Sequence, residues 1–200
     1  MRRFLLLAVL VPGIAAADPD TDAIRAASQA FTTWHRVDER PNMAAVLCRS
    51  PLPRDYGVAS HARLSTADAA PHGKKLYYRW ASETDTYTKL GLVDRDPEIP
   101  VGFAIVKQSF SAKEVAREPV PAAPKAVDGK IPAPITWLDV GEHRFAIDQP
   151  KDLFVMVKRD KGWIYGTVAP DGRVTSAGQV ELCTHCHVHA THERLFGLAR

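Results

Sequence analysis

The stretch VGFAIVKQSF, Val101 to Phe110, decides how the chain folds. It is opened by Pro100 and Gly102 and is rich in β-branched and aromatic residues, so it predicts a core strand. Alternation puts Phe103, Ile105, Lys107 and Ser109 on one face and Ala104, Val106, Gln108 and Phe110 on the other. Lys107 therefore interrupts an apolar face. A lysine beside Ile105 is either desolvated, which frees its amine as a nucleophile, or stands at a strand edge with its head in water.

Working outward, Phe154 to Lys158 and Trp163 to Val168 read as two further strands. Asp171-Gly172 is a turn signal ahead of a short strand over Arg173 to Ser176. On the N-terminal side, Leu76 to Trp80 is a tyrosine-rich strand, and Ser82-Glu83-Thr84-Asp85 predicts the cap of a short helix ending near Gly91. Ile24, Ala27, Phe31 and Trp34 recur at helical spacing and predict a helix over 20–36, capped by Asp20 or Thr21. Arg40 to Pro53 reads as loop. Pro119, Pro121, Pro124, Pro132 and Pro134 make residues 118–134 an irregular surface insert. From Val180 onward helical spacing returns, with Leu182, Leu195 and Leu198 as apolar anchors. The fold class expected is α+β: a mainly antiparallel sheet with an N-terminal helix and a C-terminal helix that carries the chemistry described next.

That chemistry sits in Cys183-Thr184-His185-Cys186-His187. Cys-x-x-Cys-His is the attachment pattern of c-type haem. On a helical turn, residues three and four apart face the same way. Two thiols can then add to two vinyl groups while His187 points at the iron, leaving the opposite position to decide the reactivity. Cys183, Cys186 and His187 are the expected cofactor-binding residues, with His187 the metal ligand and one haem c per chain. Two other chemistries use the same residues. A zinc site would take Cys183, Cys186 and two of His187, His189 and His192, and a redox disulfide would take the cysteines alone.

The rest of the composition narrows the setting. Arg2 and Arg3, the apolar run Phe4 to Val11 and Ala15-Ala16-Ala17 are the three parts of a secretory signal. Crossing a bilayer core takes ~20 apolar residues, so the run is too short for a membrane anchor. Cleavage after Ala17 leaves residues 18–200 as one domain and lowers the basic count from 26 to 24 against 23 acidic residues. A net charge of +1 and the lack of any like-charge run point away from nucleic acid. The three cysteines are too few for a disulfide scaffold, and Cys48 stands alone as a small apolar residue or an intersubunit thiol. The mature protein is expected in the periplasm. No methionine follows His187, and Met43 and Met156 lie upstream, so an open distal position is the natural expectation. His35, His61, His72 and His143 are scattered, and His185, His189 and His192 sit beside the haem turn.

The order of segments, namely an N-terminal helix with Trp34, a Tyr-rich strand, PVGFAIVKQSF, FVMVKRDKGWIYGTVAPDGRV and a terminal CTHCH, resembles the cytochrome P-460 family and the related cytochromes c-prime beta. The similarity runs from about Ala23 to Phe196, most of the mature chain. It implies a homodimer with a five-coordinate haem that takes small nitrogen ligands. Some members oxidise hydroxylamine and carry a lysine cross-linked to the porphyrin; others lack the bond and hold nitric oxide. Lys107 matches the family's Val-Lys step, and Gln108 stands where an acidic residue is more usual. Three functions follow as expectations. The chain is a haem oxidoreductase acting on hydroxylamine or nitric oxide and passing electrons to a periplasmic carrier. Alternatively it binds gas without turnover, or it is a plain electron-transfer cytochrome.

Overall fold

Residues 18–43, 75–90, 95–117, 135–190 and 192–195 are described by the structure, a computed structural model. The expected signal segment, Cys48, His61, His72, the proline-rich stretch 118–134 and Leu198 lie outside them.

The chain opens with helix α1, Pro19–Ala30. Asp18 caps it, its carboxylate oxygens accepting from the Asp20 and Thr21 amides at 3.3 Å each, with Pro19 at the first helical position. The cap is thus neither Asp20 nor Thr21. The helix also stops short of residue 36. Thr33 Oγ1 donates to the Ala30 carbonyl at 2.7 Å, the oxygen a further α-turn would have offered to the Trp34 amide. That amide goes to Phe31 O instead, tightening Phe31–Thr33 into a 3₁₀ turn.

Strands β1 (His35–Arg36), β2 (Asn42–Met43), β3 (Lys75–Ala81), β4 (Ala104–Val115), β5 (Trp137–Val140), β6 (His143–Arg159), β7 (Gly162–Val168) and β8 (Val174–Gly178) form one antiparallel sheet. Its order is β1-β3-β4-β6-β7-β8, with β2 also pairing β3 and β5 also pairing β6. Helix α2 (Thr84–Lys89) follows β3, and α3 (Glu181–His187) follows β8. The expected α+β class with a mainly antiparallel sheet is observed.

Several boundaries differ from expectation for local reasons. β4 starts at Ala104 because Val101-Gly102 make a turn, with Gly102 at φ +91° and the Phe103 amide donating to Pro100 O. Ser82 does not cap α2. Its hydroxyl and amide both pair with Ala104, and Glu83 takes the cap position without a side-chain bond. The expected strand Phe154 to Lys158 is the last third of the 17-residue β6. α3 ends at His187, and Leu182 is not a buried anchor: it is 61% exposed.

The sheet is covered on both sides. On one face Ile24 and Ala27 of α1 and Phe31 of the 3₁₀ turn pack against Ala104, Val106, Val155, Val157, Ile164 and Val168. On the other, Ala81, Phe103, Ile105, Met156, Trp163 and Tyr165 pack with Tyr87, Leu90, Ile99 and Leu195, and Val180 and Cys183 lie against them. The alternation read in VGFAIVKQSF is therefore real, with each apolar set meeting a different layer. Among the described residues no helix is long and apolar enough to cross a membrane.

Candidate cofactor site at the C-terminal helix

α3 is short and lightly capped: the Val180 carbonyl accepts the Thr184 amide at 2.9 Å and its hydroxyl at 3.0 Å. Glu181 in the first turn complements the positive end of the helix dipole. Cys183, Cys186 and His187 are all partly buried, three and four residues apart. Both thiols are free. Burial pushes the Cys183 thiol up, and Cys186 adds to the rise while the nearby Lys107 charge opposes it.

His187 is held by its own surroundings. Its Nδ1 lies 2.8 Å from the Arg194 carbonyl oxygen, which can only accept, so Nδ1 carries the proton and donates. Nε2 is then the nitrogen with the lone pair. Burial lowers the His187 pKa, the Arg194 carbonyl opposes this, and the charges of Lys107 and Arg194 lower it further, so the ring is a neutral imidazole at neutral pH. The Tyr165 ring stands 5.4 Å from it, centroid to centroid, at a 47° tilt.

Lys107 belongs to the same neighbourhood. β4 is an interior strand at this point, with Lys107 paired to Arg79 on β3 and to Phe154 on β6. The edge-strand reading of this lysine is therefore ruled out. Its ammonium lies 4.1 Å from the Tyr77 ring centroid and 5.4 Å from that of Phe154, within cation–π range. Lys107, far from them in sequence, lies near enough for its charge to act on both Cys183 and His187. Beside Lys107, Arg79 is neutralised by Asp38, whose carboxylate takes the Arg79 amide at 2.6 Å and Nη2 at 2.5 Å.

Among the described residues, the buried side-chain atoms without a hydrogen-bond partner include Ser109 Oγ on β4 and Trp163 Nε1 and Tyr165 Oη on β7. Burial raises the Tyr165 pKa. The Arg194 guanidinium lies close enough to oppose that rise, though it falls short of hydrogen-bond geometry with the hydroxyl. Buried polar atoms left unpaired carry a desolvation penalty, so such a group suits a neighbour that can accept or donate.

The histidines nearby turn to separate partners. His192 Nδ1 is 2.5 Å from Asp96 Oδ2, and the His185 and His189 rings meet edge to face at 6.1 Å. Together with His187 on Arg194, this leaves the zinc set of Cys183, Cys186 and two histidines unassembled. Among the described residues no three His, Cys, Asp or Glu side chains gather where they could hold a metal ion. Met156 is 8% exposed and packed with Ile105 and Tyr165. Phe103 shares the face of α3, edge-on to Trp163, whereas Phe110 packs on Tyr78. His35 and His143 stand elsewhere, His143 paired with Glu114.

Sequence reasoning did not find Tyr165, Tyr77, Phe154 or the Arg194 carbonyl. Tyr165 was reachable, since it lies two residues from Trp163 on the same strand face. A search against protein-family models finds no match for this chain, and a search of curated proteins finds none either.

Proposed function

We propose that this chain is an exported mono-haem c-type cytochrome, with one haem c joined by thioethers to Cys183 and Cys186 and His187 as its axial ligand. It is a cytochrome P-460-like protein whose residues 18–200 form the mature periplasmic domain, acting as a homodimer. The observation that carries this reading is the His187 ring. An imidazole ligand ordinarily donates its second N–H to a carbonyl or carboxylate, which orients the ring and raises its basicity; Nδ1 of His187 does this toward Arg194 O. The donor set fits as well: two free thiols on the helix that bears the imidazole, near the buried Tyr165 hydroxyl, which lacks a partner among the described residues.

When bound, the haem supplies an iron with an open position for a small nitrogen species, hydroxylamine or nitric oxide, and exchanges single electrons with a periplasmic carrier. This chain's own residues do the rest. His187 holds the iron from one side, and the sheet face of Ile105, Met156 and Trp163 excludes water. Tyr165 keeps its proton, since burial raises its pKa, and offers it as a hydrogen-bond donor. Lys107, the position that the family resemblance marks for porphyrin cross-linking, sets the local charge. Gas binding without turnover is the second reading, and the aromatic surface of Tyr77 and Phe154 around Lys107 favours it.

Intact mass of protein produced with a cytochrome maturation system tests the proposal. It should exceed the mature polypeptide by one haem, and Cys183→Ser with Cys186→Ser should abolish haem colour that survives denaturation. A colourless wild type would refute the reading. A low-spin spectrum in both oxidation states, indifferent to nitric oxide, would move the function to electron transfer.

A further inference from the structure

Beyond the expected ligand helix, His192–Leu195 make an unusual turn. Glu193 and Arg194 have φ of +48° and +71°, and they are the non-glycine residues with positive φ among those described. His192 and Leu195 bridge each other, the Leu195 amide donating to His192 O at 2.9 Å and the His192 amide to Leu195 O at 3.4 Å. Two left-handed residues between paired neighbours define a type I′ turn, which ordinarily uses Asn and Gly. Glutamate and arginine pay a steric penalty there, so the surroundings must hold them.

Three contacts do so, each from a different part of the fold. The His192 ring reaches Asp96 Oδ2 at 2.5 Å, in the segment ahead of β4. Glu193 Oε2 accepts from Lys158 Nζ at 2.5 Å, on β6. Leu195 is 2% exposed in the cluster with Trp163 and Tyr165. From this turn the Arg194 carbonyl reaches His187, 2.8 Å from its Nδ1.

We infer that the His192–Leu195 turn is a clasp that fixes the orientation and tautomer of His187, with Asp96, Lys158, His192 and Glu193 as positioning residues. The inference rests on the reading of His187 as a metal ligand and says how that ligand is prepared. A left-handed pair relaxes once its pins are removed, and the Arg194 carbonyl then swings away from Nδ1. Without that acceptor the imidazole has no reason to keep its proton on Nδ1, and Nε2 ceases to be reserved for the iron.

The test is long-range ¹H–¹⁵N correlation spectroscopy of the full mature chain at pH 8, made without haem, reading the two ring nitrogens of His187. Wild type should show a single Nδ1–H tautomer. Asp96→Ala combined with Glu193→Ala should shift both ring signals toward the tautomer average while the β4 and β7 amide signals stay in place. Asp96→Asn, which keeps an acceptor for His192, should restore the wild-type pattern. If the double variant is too unstable to record, Glu193→Gly with Arg194→Gly replaces it. That variant removes the steric penalty and keeps the carbonyl, so it should retain the single tautomer. In the haem-loaded protein, the ferrous iron–histidine stretching frequency should fall in the Asp96→Ala, Glu193→Ala variant.

An Nε2–H tautomer in wild type, or unchanged ring shifts in the double variant, overturns the clasp, as does loss of the single tautomer in the diglycine variant. These results are separable from failure of the haem reading. A chain that takes up no haem still reports the tautomer, and a haem-loaded chain with an unmoved tautomer removes the clasp alone.

Discussion

Replacing Gly166 with alanine should lift α1 off the sheet. Gly166 lies in β7 on the α1 side, and a Cβ built there falls 2.6 Å from Ile24 Cγ2, 2.7 Å from Ile24 Cγ1 and 2.8 Å from the Ser176 carbonyl oxygen. Carbon atoms at rest keep about 3.5–4.0 Å apart, so all three contacts are repulsive. Ile24 is fully buried and the Ser176 oxygen belongs to the paired strand β8, so neither can step aside freely. Overpacking of this kind costs about 1–3 kcal/mol, and the backbone contact places it in the upper half of that range. Alanine stiffens the unfolded chain, which offsets about 0.4–1 kcal/mol. The net expectation is a loss of about 1.5–2 kcal/mol, read as a Tm lower by about 3–8 °C for a domain of this size.

Urea titration of Gly166→Ala, Ile24→Ala and the double variant completes the test. Ile24→Ala alone should cost about 2–5 kcal/mol through the cavity it opens. The new methyl at 166 partly fills that cavity, so the double variant should be more stable than the sum of the singles by about 1 kcal/mol or more. A Gly166→Ala protein within about 0.5 kcal/mol of wild type, or an additive cycle, would refute the reasoning.

Asp38→Ala removes the carboxylate that neutralises the Arg79 guanidinium, whose side chain is 17% exposed, and should cost about 3–5 kcal/mol by urea titration, whereas replacing both partners with apolar residues should cost less. Lys107→Met removes the ammonium from the Tyr77 and Phe154 rings and should lower stability by about 1 kcal/mol. In the haem-loaded protein, Lys107→Leu should leave an ordinary c-type spectrum, and a wild type that already shows one rules out a porphyrin cross-link. The Glu114 hydrogen bond holds the His143 pKa above its usual value, followed by the Glu114 charge. The folded form therefore binds the proton more tightly than the unfolded chain. The pair's contribution is full below the unfolded value near 6.5 and fades as pH rises through the raised folded value. NMR titration should show Glu114→Gln lowering that pKa.

The parts of this molecule that were legible in the sequence are those whose signal is local. Val101 to Phe110 and Trp163 to Val168 are dense in β-branched and aromatic residues, so β4 and β7 were visible to within a few residues. β5 and the first two thirds of β6 were not. HRFAIDQPKD has little alternation and contains Pro150, which the sheet accommodates at a register shift opposite Phe110. The end of α1 depended on one hydroxyl choosing one carbonyl. At the site, the three- and four-residue spacing of CTHCH anticipated that Cys183, Cys186 and His187 share one helix. The neighbours of Lys107 follow from strand register, which alternation alone does not set. The acceptor for His187 is a backbone carbonyl, and a carbonyl leaves no mark on residue identity.

α3 has no buried residue, its Leu182 and the following Val188 are 61% and 50% exposed, and the chain on either side is anchored by buried Gly178 and Leu195. It behaves as a strap fastened at both ends and slack in the middle. Segments with so little buried surface open at a small fraction of the global unfolding free energy. The Cys183–His187 run can therefore lift off and lie back while the strands of the sheet stay paired. In hydrogen exchange its amides should lose protection long before those of β4.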